Sequence, residues 1–432
     1  MSKVDSIHTH TCIRIYILCK PPPEVNSTKT CSNYKLTILS TMESTFFALT
    51  IALLIWNTLA HPGHNIAQEA AERRDFLKRN PHSVRSCAVN LQKRGHTAAA
   101  IARRQDLARQ VRARRSLVTN RQPLARRDFA QYNTSHASTS GLKYGDEETL
   151  FFADNSSCTL QSEVTEGPYY VEGEKFRSNI TDNQPGVPLF LDIQIIDTST
   201  CSPLPAVYMD LWHSNATGVY SGVLAAGNGD VNDSTNLDAT FLRGIQLTDF
   251  NGVVQFETIF PGHYDGRATH IHMITHNSNS STVRSNATLL QGNFTTQASH
   301  VGQLFFDQSL ISAVSELSPY NTNTQTVTLN SADTILAQEA ADTDPFVEYV
   351  QLSDDLADGL LAWISVGIDP TADRSINAAA AIYEDGGVEN DENSMSGGST
   401  GNMTGSAMPS GSMTGSMTGS MTGAMPSASS AT

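Results

Sequence analysis

Residues 260–272, FPGHYDGRATHIH, form the stretch around which the rest of the chain can be arranged. Its two last histidines, His270 and His272, flank Ile271 and lead into Met273 and Ile274, a pattern that predicts a strand. Residues i and i+2 of a strand point to the same face, with Cα atoms roughly 6.5–7 Å apart. The two imidazoles are therefore placed to close on one metal ion.

Two tyrosines complete the set of donors. Tyr264 lies shortly before His270, beyond a Gly-Arg turn, and Tyr220 lies near the end of a second string, residues 210–221, DLWHSNATGVYS. Two phenols and two imidazoles form a hard, partly anionic ligand set. Such a set suits Fe(III) better than zinc, which takes thiolate, imidazole and carboxylate. We therefore predict a ferric site built from Tyr220, Tyr264, His270 and His272.

The two strings resemble the core of the intradiol ring-cleavage dioxygenases, the family of catechol 1,2-dioxygenase and protocatechuate 3,4-dioxygenase. The family motifs D-x-W-H-x-x-x-x-G-x-Y-S and P-x-x-Y-…-R-x-x-H-x-H both occur here. More narrowly, residues 163–368 resemble the secreted fungal branch. The resemblance implies non-haem Fe(III) with Tyr220 and His270 as equatorial ligands and Tyr264 and His272 as the axial pair.

The resemblance also implies an activity with named roles. Tyr264 would leave the metal and take a proton from a catechol-type substrate, and Arg267 would steady the anionic substrate; a structural ion pair is the alternative for Arg267. Reaction with O2 would then cleave the ring between the two hydroxyl-bearing carbons and give a muconate-type diacid. Pro168 and Tyr169 resemble the segment that lines the substrate pocket, although both could equally serve as a turn and a packing residue.

Two rival functions fit the same pattern. One is a secreted, non-catalytic β-sandwich that binds a carbohydrate or a surface, and the other is a scavenger that binds catechols or iron without turnover. Loss of a ligand would favour the first rival, and no ligand residue is missing. Only two residues separate Tyr264 from Arg267, where intracellular catechol enzymes have a long insertion, so we expect a shallow, open pocket. The sequence has no clear equivalent of their helical dimerisation domain and leaves the oligomeric state open.

Further polar residues of the two strings are expected to support the site. Asp210 and Trp212 share a face with Tyr208, so we interpret them as core or supporting residues. Four more histidines are interpreted as groups around the site or on the surface: His213, His263, His276 and His300.

The first sixty residues predict an export signal. Residues 1–41 are polar and patternless, and we interpret them as a gene-model extension, with Met42 as the true start. Residues 42–60 contain an apolar run, 46–56, that is too short to span a bilayer and is followed by small residues up to Ala60. We therefore predict a cleaved signal peptide, a secreted protein and no membrane partner after cleavage; the alternative is an uncleaved anchor.

A basic segment, residues 61–130, follows the signal. Residues 61–127 carry 16 Lys and Arg against 4 Asp and Glu, whereas residues 128–432 carry 7 against 36. The Ala-rich part favours a helix, and paired bases recur up to Arg127. We predict a pro-segment or helical extension that docks on the acidic domain and is cut after Arg127; a polyanion-binding arm and disorder are the alternatives. Phe76 is the one Phe, Tyr or Trp within residues 61–127, too few for bases interleaved with aromatic residues, so we expect no nucleic-acid partner.

Cysteines and glycosylation triplets favour an oxidising compartment. The secreted domain keeps Cys158 and Cys201, which predicts one disulfide between them and leaves Cys87 over in the basic segment. The absence of a C-x-x-C pair argues against a zinc site. Nine Asn-X-Ser/Thr triplets follow the signal, at Asn133, Asn155, Asn179, Asn215, Asn232, Asn279, Asn286, Asn293 and Asn402.

The catalytic region, residues 131–385, predicts an all-β fold. Alternating apolar residues indicate strands at 189–196, 207–212, 244–248, 253–259, 304–306, 326–329 and 359–366. The segment 249–252 is a hairpin signal, and residues 330–341 predict a helix that Ser331 or Asp333 caps. Many short strands imply a β-sandwich, and the resemblance implies mixed sheets with a few short helices. The Gly-, Ser-, Thr- and Met-rich residues 386–432 predict a disordered tail, without the apolar end of a GPI signal.

Overall fold

The structure is a computed structural model of the 432-residue chain. It describes residues 71, 78, 84–117, 159–160, 167–224, 232–277, 281–283, 288–290, 295–341, 343–372 and 374–390. Its helices are α1 (Val84–Lys93), α2 (His96–Arg115), α3 (Gln308–Ser315) and α4 (Thr334–Glu339). Its strands are β1 (Thr159–Leu160), β2 (Val171–Glu172), β3 (Pro188–Asp197), β4 (Ser202–Pro203), β5 (Val207–Trp212), β6 (Arg243–Leu247), β7 (Val253–Ile259), β8 (His270–Asn277), β9 (Thr282–Val283), β10 (Leu289–Leu290), β11 (Thr295–Ala298), β12 (His300–Phe305), β13 (Glu348–Gln351), β14 (Leu360–Ile368), β15 (Arg374–Asn377), β16 (Ala380–Tyr383) and β17 (Gly386–Glu389).

Two sheets pack face to face. The larger sheet joins β1, β14, β3 and β4 in that order, with β13 also on β14 and β7 also on β3. Strand β14 runs parallel to β3, whereas β7 is antiparallel to β3. The smaller sheet has the order β12-β8-β5-β6 and is antiparallel throughout. The predicted β-sandwich of mixed sheets with a few short helices is therefore confirmed.

Alternation along the strands builds the core between the sheets. Inward-facing aliphatic residues of the larger sheet meet those of the smaller sheet; on β3, β5 and β8 they are Leu189, Leu191, Ile193, Ile195, Met209, Leu211, Ile271 and Met273. Full burial of each contributes roughly 1.5–3 kcal/mol. Successive strand residues point to opposite faces, so the residues between them lie on the outer faces of the sandwich. Asp192 of β3 lies on one outer face, and His270 and His272 of β8 lie on the other.

Further layers cover both outer faces. On the larger sheet, Ala108 and Val111 of α2 pack against Phe190, Leu361 and Trp363. On the smaller sheet, residues of β2, β11, β15 and β16 pack against Trp212 and Ile274. The basic segment thus forms the helices Val84–Lys93 and His96–Arg115 and is docked on the acidic domain, whereas the predicted cut after Arg127 lies outside the described residues.

The predicted disulfide between Cys158 and Cys201 is wrong. Cys201 is bonded to Cys87 of α1, with Cα atoms 5.1 Å apart, while Cys158 lies outside the described residues. Helix α1 packs its buried residues Val84 and Leu91 beside Ile196, next to the turn that holds Cys201. The prediction paired the two cysteines of the secreted domain and left Cys87 over, although docking of the basic segment brings Cys87 to Cys201.

Three local predictions also need correction. The turn 249–252 forms, with the Asp249 carboxylate accepting from the backbone N–H of Asn251 and Val253. It joins strands of different sheets, however, because β6 pairs with β5 and β7 pairs with β3. Residues 326–329 form no strand and leave Val327 and Leu329 about half exposed. The helix predicted at 330–341 is confined to Thr334–Glu339, after a single 3-10 turn.

The predicted tail begins too early. Strand β17 (Gly386–Glu389) pairs antiparallel with β16, so the domain extends beyond residue 385 despite the glycines. Residues 391–432 lie outside the described part of the chain. No helix among the described residues is long and apolar enough to cross a membrane.

Candidate metal centre

Strand β8 carries the two predicted histidine ligands. His270 and His272 alternate with the core residues Ile271 and Met273, and their Nε2 atoms lie 2.9 Å apart. The Nδ1 atom of His270 lies 2.6 Å from the carbonyl oxygen of Ala268. Because a carbonyl oxygen only accepts, Nδ1 carries the proton and Nε2 keeps its lone pair. The predicted strand is present and places both imidazoles side by side.

Two loops bring the predicted tyrosines to the same point. The hydroxyl oxygen of Tyr264 lies 3.2 Å from Nε2 of His270 and 3.4 Å from the hydroxyl oxygen of Tyr220. None of the four side chains is more than 3% exposed. Two phenol oxygens and two imidazole nitrogens from three segments therefore form one buried cluster, which we call the donor cluster.

A close approach of two backbones joins those loops. A Cβ atom at Gly262 would come within 2.3 Å of the carbonyl oxygen of Asn215. The Gly262 N–H donates to that carbonyl at 3.1 Å, and Ser214 Oγ donates to the Gly262 carbonyl at 3.0 Å. Only glycine permits this approach. The loop before Tyr220 is thereby fixed against the loop before Tyr264.

Burial sets the charge of the donors. It raises the pKa of both Tyr220 and Tyr264 above the ordinary phenol value, against the opposing positive charge of Arg267. Burial also lowers the pKa of His270 well below its ordinary value. The two phenols and the His270 ring are therefore neutral at neutral pH, and a cation that binds here must displace the phenol protons.

The donor cluster fits a ferric ion. Atoms that share one metal at bond lengths of roughly 2.0–2.2 Å lie about 3 Å from one another, and the three distances within the cluster run from 2.9 to 3.4 Å. Phenolates are hard donors that suit a trivalent cation. Among the residues that the structure describes, no group of three or more His, Cys, Asp and Glu could hold a metal, so a metal at this point depends on the tyrosines.

The guanidinium of Arg267 is buried beside the cluster and paired. Its Nε donates to Asp333 Oδ2 at 2.9 Å and its Nη2 to Gln303 Oε1 at 2.5 Å. A short bridge between Tyr264 and Arg267, turned at Gly266 with φ 83°, sets it next to the phenol. The ion pair considered as the alternative is thus present, and the charge of Arg267 still acts on both phenols. A contact between Arg267 and substrate stays a prediction.

Aromatic rings pack on the donors. Tyr169, a predicted pocket residue, stacks on Tyr220 with centroids 4.6 Å apart and meets Tyr264 edge-on at 6.3 Å. Pro168 directly precedes it and is half-buried. Trp212 stacks on His272 at 4.8 Å, with the two planes 4° apart. The ligands are therefore oriented by ring packing.

The remaining histidines of the region do not join the donor cluster. Burial lowers the pKa of His213 to about 4, so this ring is neutral. The four histidines have hydrogen-bond partners outside the donor cluster. His213 contacts Ser214 and Thr258, His263 the Gln325 carbonyl, His276 the Gln297 carbonyl and His300 the Asp369 N–H.

The buried polar and charged residues around the cluster were not predicted from the sequence. Arg243 donates to Glu174 Oε1 at 3.0 Å, with both side chains 1% exposed, and Gln303 binds Arg267. Asp333 was expected only as a helix cap, which it is, since it accepts from the N–H of two α4 residues. The available signal was a charged residue inside an apolar strand, such as Arg243 at the start of β6.

Comparison with known proteins identifies the family. A family model described as dioxygenase matches residues 165–309, which include all four donors and Arg267. The intradiol ring-cleavage dioxygenase from Tetranychus urticae is 31% identical, with 50% of this chain and 96% of that chain covered and a TM-score of 0.40. The chain belongs to the intradiol ring-cleavage dioxygenase family. Members of this family are oxidoreductases that use non-haem Fe(III), and the donor cluster of this member has the residue types that such an ion takes.

Two more distant family structures are also similar. The dioxygenase domain of a dioxygenase carbohydrate-binding protein fusion from Streptomyces sp. SirexAA-E is 23% identical, with 48% of this chain and 96% of that chain covered and a TM-score of 0.29. Catechol 1,2-dioxygenase from Acinetobacter sp. ADP1 is 20% identical, with 50% and 62% covered and a TM-score of 0.30. No curated protein matches the chain. Family membership rests on the sequence identity to the Tetranychus urticae protein, not on these two likenesses.

Proposed function

We propose that this chain is a secreted Fe(III) enzyme that cleaves catechol-type rings between the two hydroxyl-bearing carbons. Both atoms of O2 enter the product, a muconate-type diacid. The observation that carries the proposal is a continuous series of close approaches, from Tyr220 to Tyr264 at 3.4 Å, from Tyr264 to His270 at 3.2 Å and from His270 to His272 at 2.9 Å. Buried polar atoms that face each other cost free energy unless something binds them, and a cation is the partner that four such donors share.

The chain's residues supply proton transfer and charge. The four donors would hold a ferric ion, which would supply the Lewis-acid chemistry that makes a bound catechol ring reactive towards O2. Because a cation in the cluster displaces the phenol proton of Tyr264, the acceptor of one substrate proton is its phenolate oxygen, and burial, which raises the pKa of this phenol, favours the protonated form. Arg267 keeps its positive charge, because Asp333 and the two phenols raise its pKa despite burial. That charge offsets the negative charge of the bound substrate.

The other donors stay in place during this exchange. Tyr220 is held by the stacked ring of Tyr169, and His272 by the ring of Trp212. These rings also keep water away from the donors, which strengthens the electrostatic interactions within the site. Tyr220 and Tyr264 thus have different roles although both are buried phenols.

Oxygen uptake with catechol tests the activity against the scavenger alternative. We expect consumption of O2 together with a ring-opened diacid, and labelled O2 should place both labelled atoms in the product. Tyr264→Phe removes the proton acceptor and should reduce turnover by about 10²–10⁴-fold. Tyr170→Phe is the control, because Tyr170 is equally buried but packs on Trp212 outside the donor cluster. Binding of catechol without O2 consumption would contradict the proposal.

Secretion forms part of the proposal and has separate support. The Cys87–Cys201 disulfide is typical of oxidising compartments, and the triplet asparagines Asn179 and Asn232 are exposed. The substrate would then be a plant- or lignin-derived catechol outside the cell. N-terminal sequencing of protein from the medium should find His61, Asp128 or a nearby residue, and recovery of Met1 there would refute this part.

A further inference from the structure

We infer that Arg243 is the positioning residue that fixes the Tyr220 ligand against the Tyr169 pocket wall, an inference that rests on the proposed iron site. The Arg243 guanidinium is 1% exposed. Its Nη2 donates to the carbonyl oxygens of both Tyr169 and Ser221, at 2.7 Å each. Its Nε donates to the Ser221 carbonyl and hydroxyl oxygens at 3.0 and 3.1 Å.

These two carbonyls belong to the segments that must stay in register. Ser221 directly follows Tyr220, and the ring of Tyr169 stacks on the ring of Tyr220 at 4.6 Å and 20°. The two segments are about fifty positions apart in the sequence, and neither lies in a strand at this point. One guanidinium therefore joins a metal ligand to the residue that covers it.

The sheet extends the same arrangement to a histidine ligand. Arg243 of β6 lies opposite Trp212 of β5, which lies opposite His272 of β8. Directly opposite residues share a face, so these three side chains form one row on the outer face of the smaller sheet. Trp212 in the middle of the row stacks on the His272 ring. Arg243 thus acts on two of the four donors, on Tyr220 through Ser221 and on His272 through Trp212.

The position requires arginine rather than any cation. The third branch of the guanidinium, Nη1, donates to Glu174 Oε1 at 3.0 Å, so the fork serves two carbonyls and one carboxyl in different directions. A lysine ammonium supplies the charge but not this planar fork. Glu174 in turn lies beside Asp210, and burial with the neighbouring Asp210 charge raises the pKa of Glu174.

Arg243→Lys tests the inference, with Arg104→Lys as the matched control. Arg104 of α2 is also a buried arginine paired with a carboxylate, but it contacts Asp192 on the outer face of the larger sheet. Supporting residues of metal sites typically contribute roughly 10–100-fold to affinity. We expect Arg243→Lys to weaken ferric binding by that factor, to shift the visible tyrosinate-to-iron band and to lower kcat more than it raises KM. Arg104→Lys should lower stability and leave all three unchanged.

Further variants and a measurement on the metal-free protein distinguish a failure of the proposed iron site from a failure of the role inferred for Arg243. If Arg243→Lys does not fold, Glu174→Ala frees Nη1 and should shift the band in the same direction, whereas Glu174→Gln keeps an acceptor and should restore it. Near-ultraviolet circular dichroism of the metal-free protein reports the stacked tyrosines without iron, and should change in Arg243→Lys and in Glu174→Ala but not in Arg104→Lys. Wild-type protein that binds no iron would refute the proposed function. An Arg243→Lys or Glu174→Ala protein with wild-type affinity, band and dichroism would refute the role of Arg243.

Discussion

Asp192 and Asp210 lie at corresponding points on the two outer faces of the sandwich, each on an inner strand of its sheet and each fully buried. On the larger sheet, Arg103 binds both oxygens of Asp192 at 2.8 Å, and Arg104 adds a contact at 3.3 Å. On the smaller sheet, no arginine in the described part of the chain donates to Asp210, which lies beside Glu174 and 3.9 Å from Nε2 of His276.

The two carboxyl groups respond in opposite ways. Burial raises the pKa of Asp192, but the hydrogen bonds and charges of Arg103 and Arg104 outweigh it, so the pKa lies below its ordinary value. Burial dominates at Asp210 and raises its pKa to about 6. One face is thus closed by matched charges, while the other keeps polar groups that the fold alone does not satisfy. Unfavourable burial of this kind concentrates at functional sites, and the donor cluster lies on that second face.

The largest effect on stability is expected when Asp192, on the outer face of the larger sheet, loses its arginine partners. Arg103→Ala with Arg104→Ala leaves Asp192 buried without its arginine partners, and removal of one side of a buried ion pair typically costs about 3–5 kcal/mol. We expect a loss of that order in the free energy of unfolding, measured by urea denaturation. Arg109→Ala on the same helix is the control, because its pair with Asp106 is exposed. Equal stability of the two proteins would show that α2 is not part of the folded core.

The disulfide provides a second test of the same face. Cys87→Ser opens the bond that ties α1 to the turn after β3, and such bonds typically contribute about 2–4 kcal/mol. Cys158→Ser should leave the bond intact and is the control. Peptide mapping without reduction should recover Cys87 joined to Cys201. If the chain is cut after Arg127, the helices should stay attached until a reductant is added, and their release without one would contradict the assignment.

The pH dependence of stability should differ between the two faces, and this effect is expected to be smaller. A carboxyl group whose pKa is lowered by folding stabilises the folded state at pH values above its ordinary pKa, and this contribution is lost as the pH falls. A carboxyl group whose pKa is raised by folding instead destabilises the folded state as the pH rises from its ordinary pKa to the raised one. The cost of Asp192→Asn should therefore shrink below about pH 4. The cost of Asp210→Asn should instead shrink as the pH rises from about 4 to about 6, since the unfolded wild-type chain then releases a proton that the folded protein keeps. Urea denaturation across this range checks both, and parallel curves would refute the contrast.

The sequence predicted the donor cluster because its information is local. The spacing of His270 and His272 determines a shared strand face whatever the sheet order, and the two motifs carried Tyr220 and Tyr264 with them. The alternation along β3 and β8 likewise predicted the sandwich. These features depend on the period of a strand, which can be read from neighbouring residues.

Pairings between distant segments were harder to predict. Nothing near Cys201 in the sequence indicates α1, so its partner Cys87 emerged only once the helices were docked. The turn 249–252 predicted a reversal of the chain but not the sheets that its strands join. Asp192 lies among apolar residues of β3, and nothing near it in the sequence shows that Arg103 and Arg104 pair with it.

Ferric titration of the metal-free protein, followed by its visible spectrum, tests whether the four donors hold one ferric ion. We expect one ion per chain and a red-brown tyrosinate-to-iron band. Tyr220→Phe should lose most of the band, Tyr264→Phe should keep part of it, and His270→Ala or His272→Ala should lower the bound iron most, while Tyr170→Phe should match wild type. A wild-type protein that stays colourless with ferric iron, or a Tyr220→Phe protein with the wild-type spectrum, would contradict it.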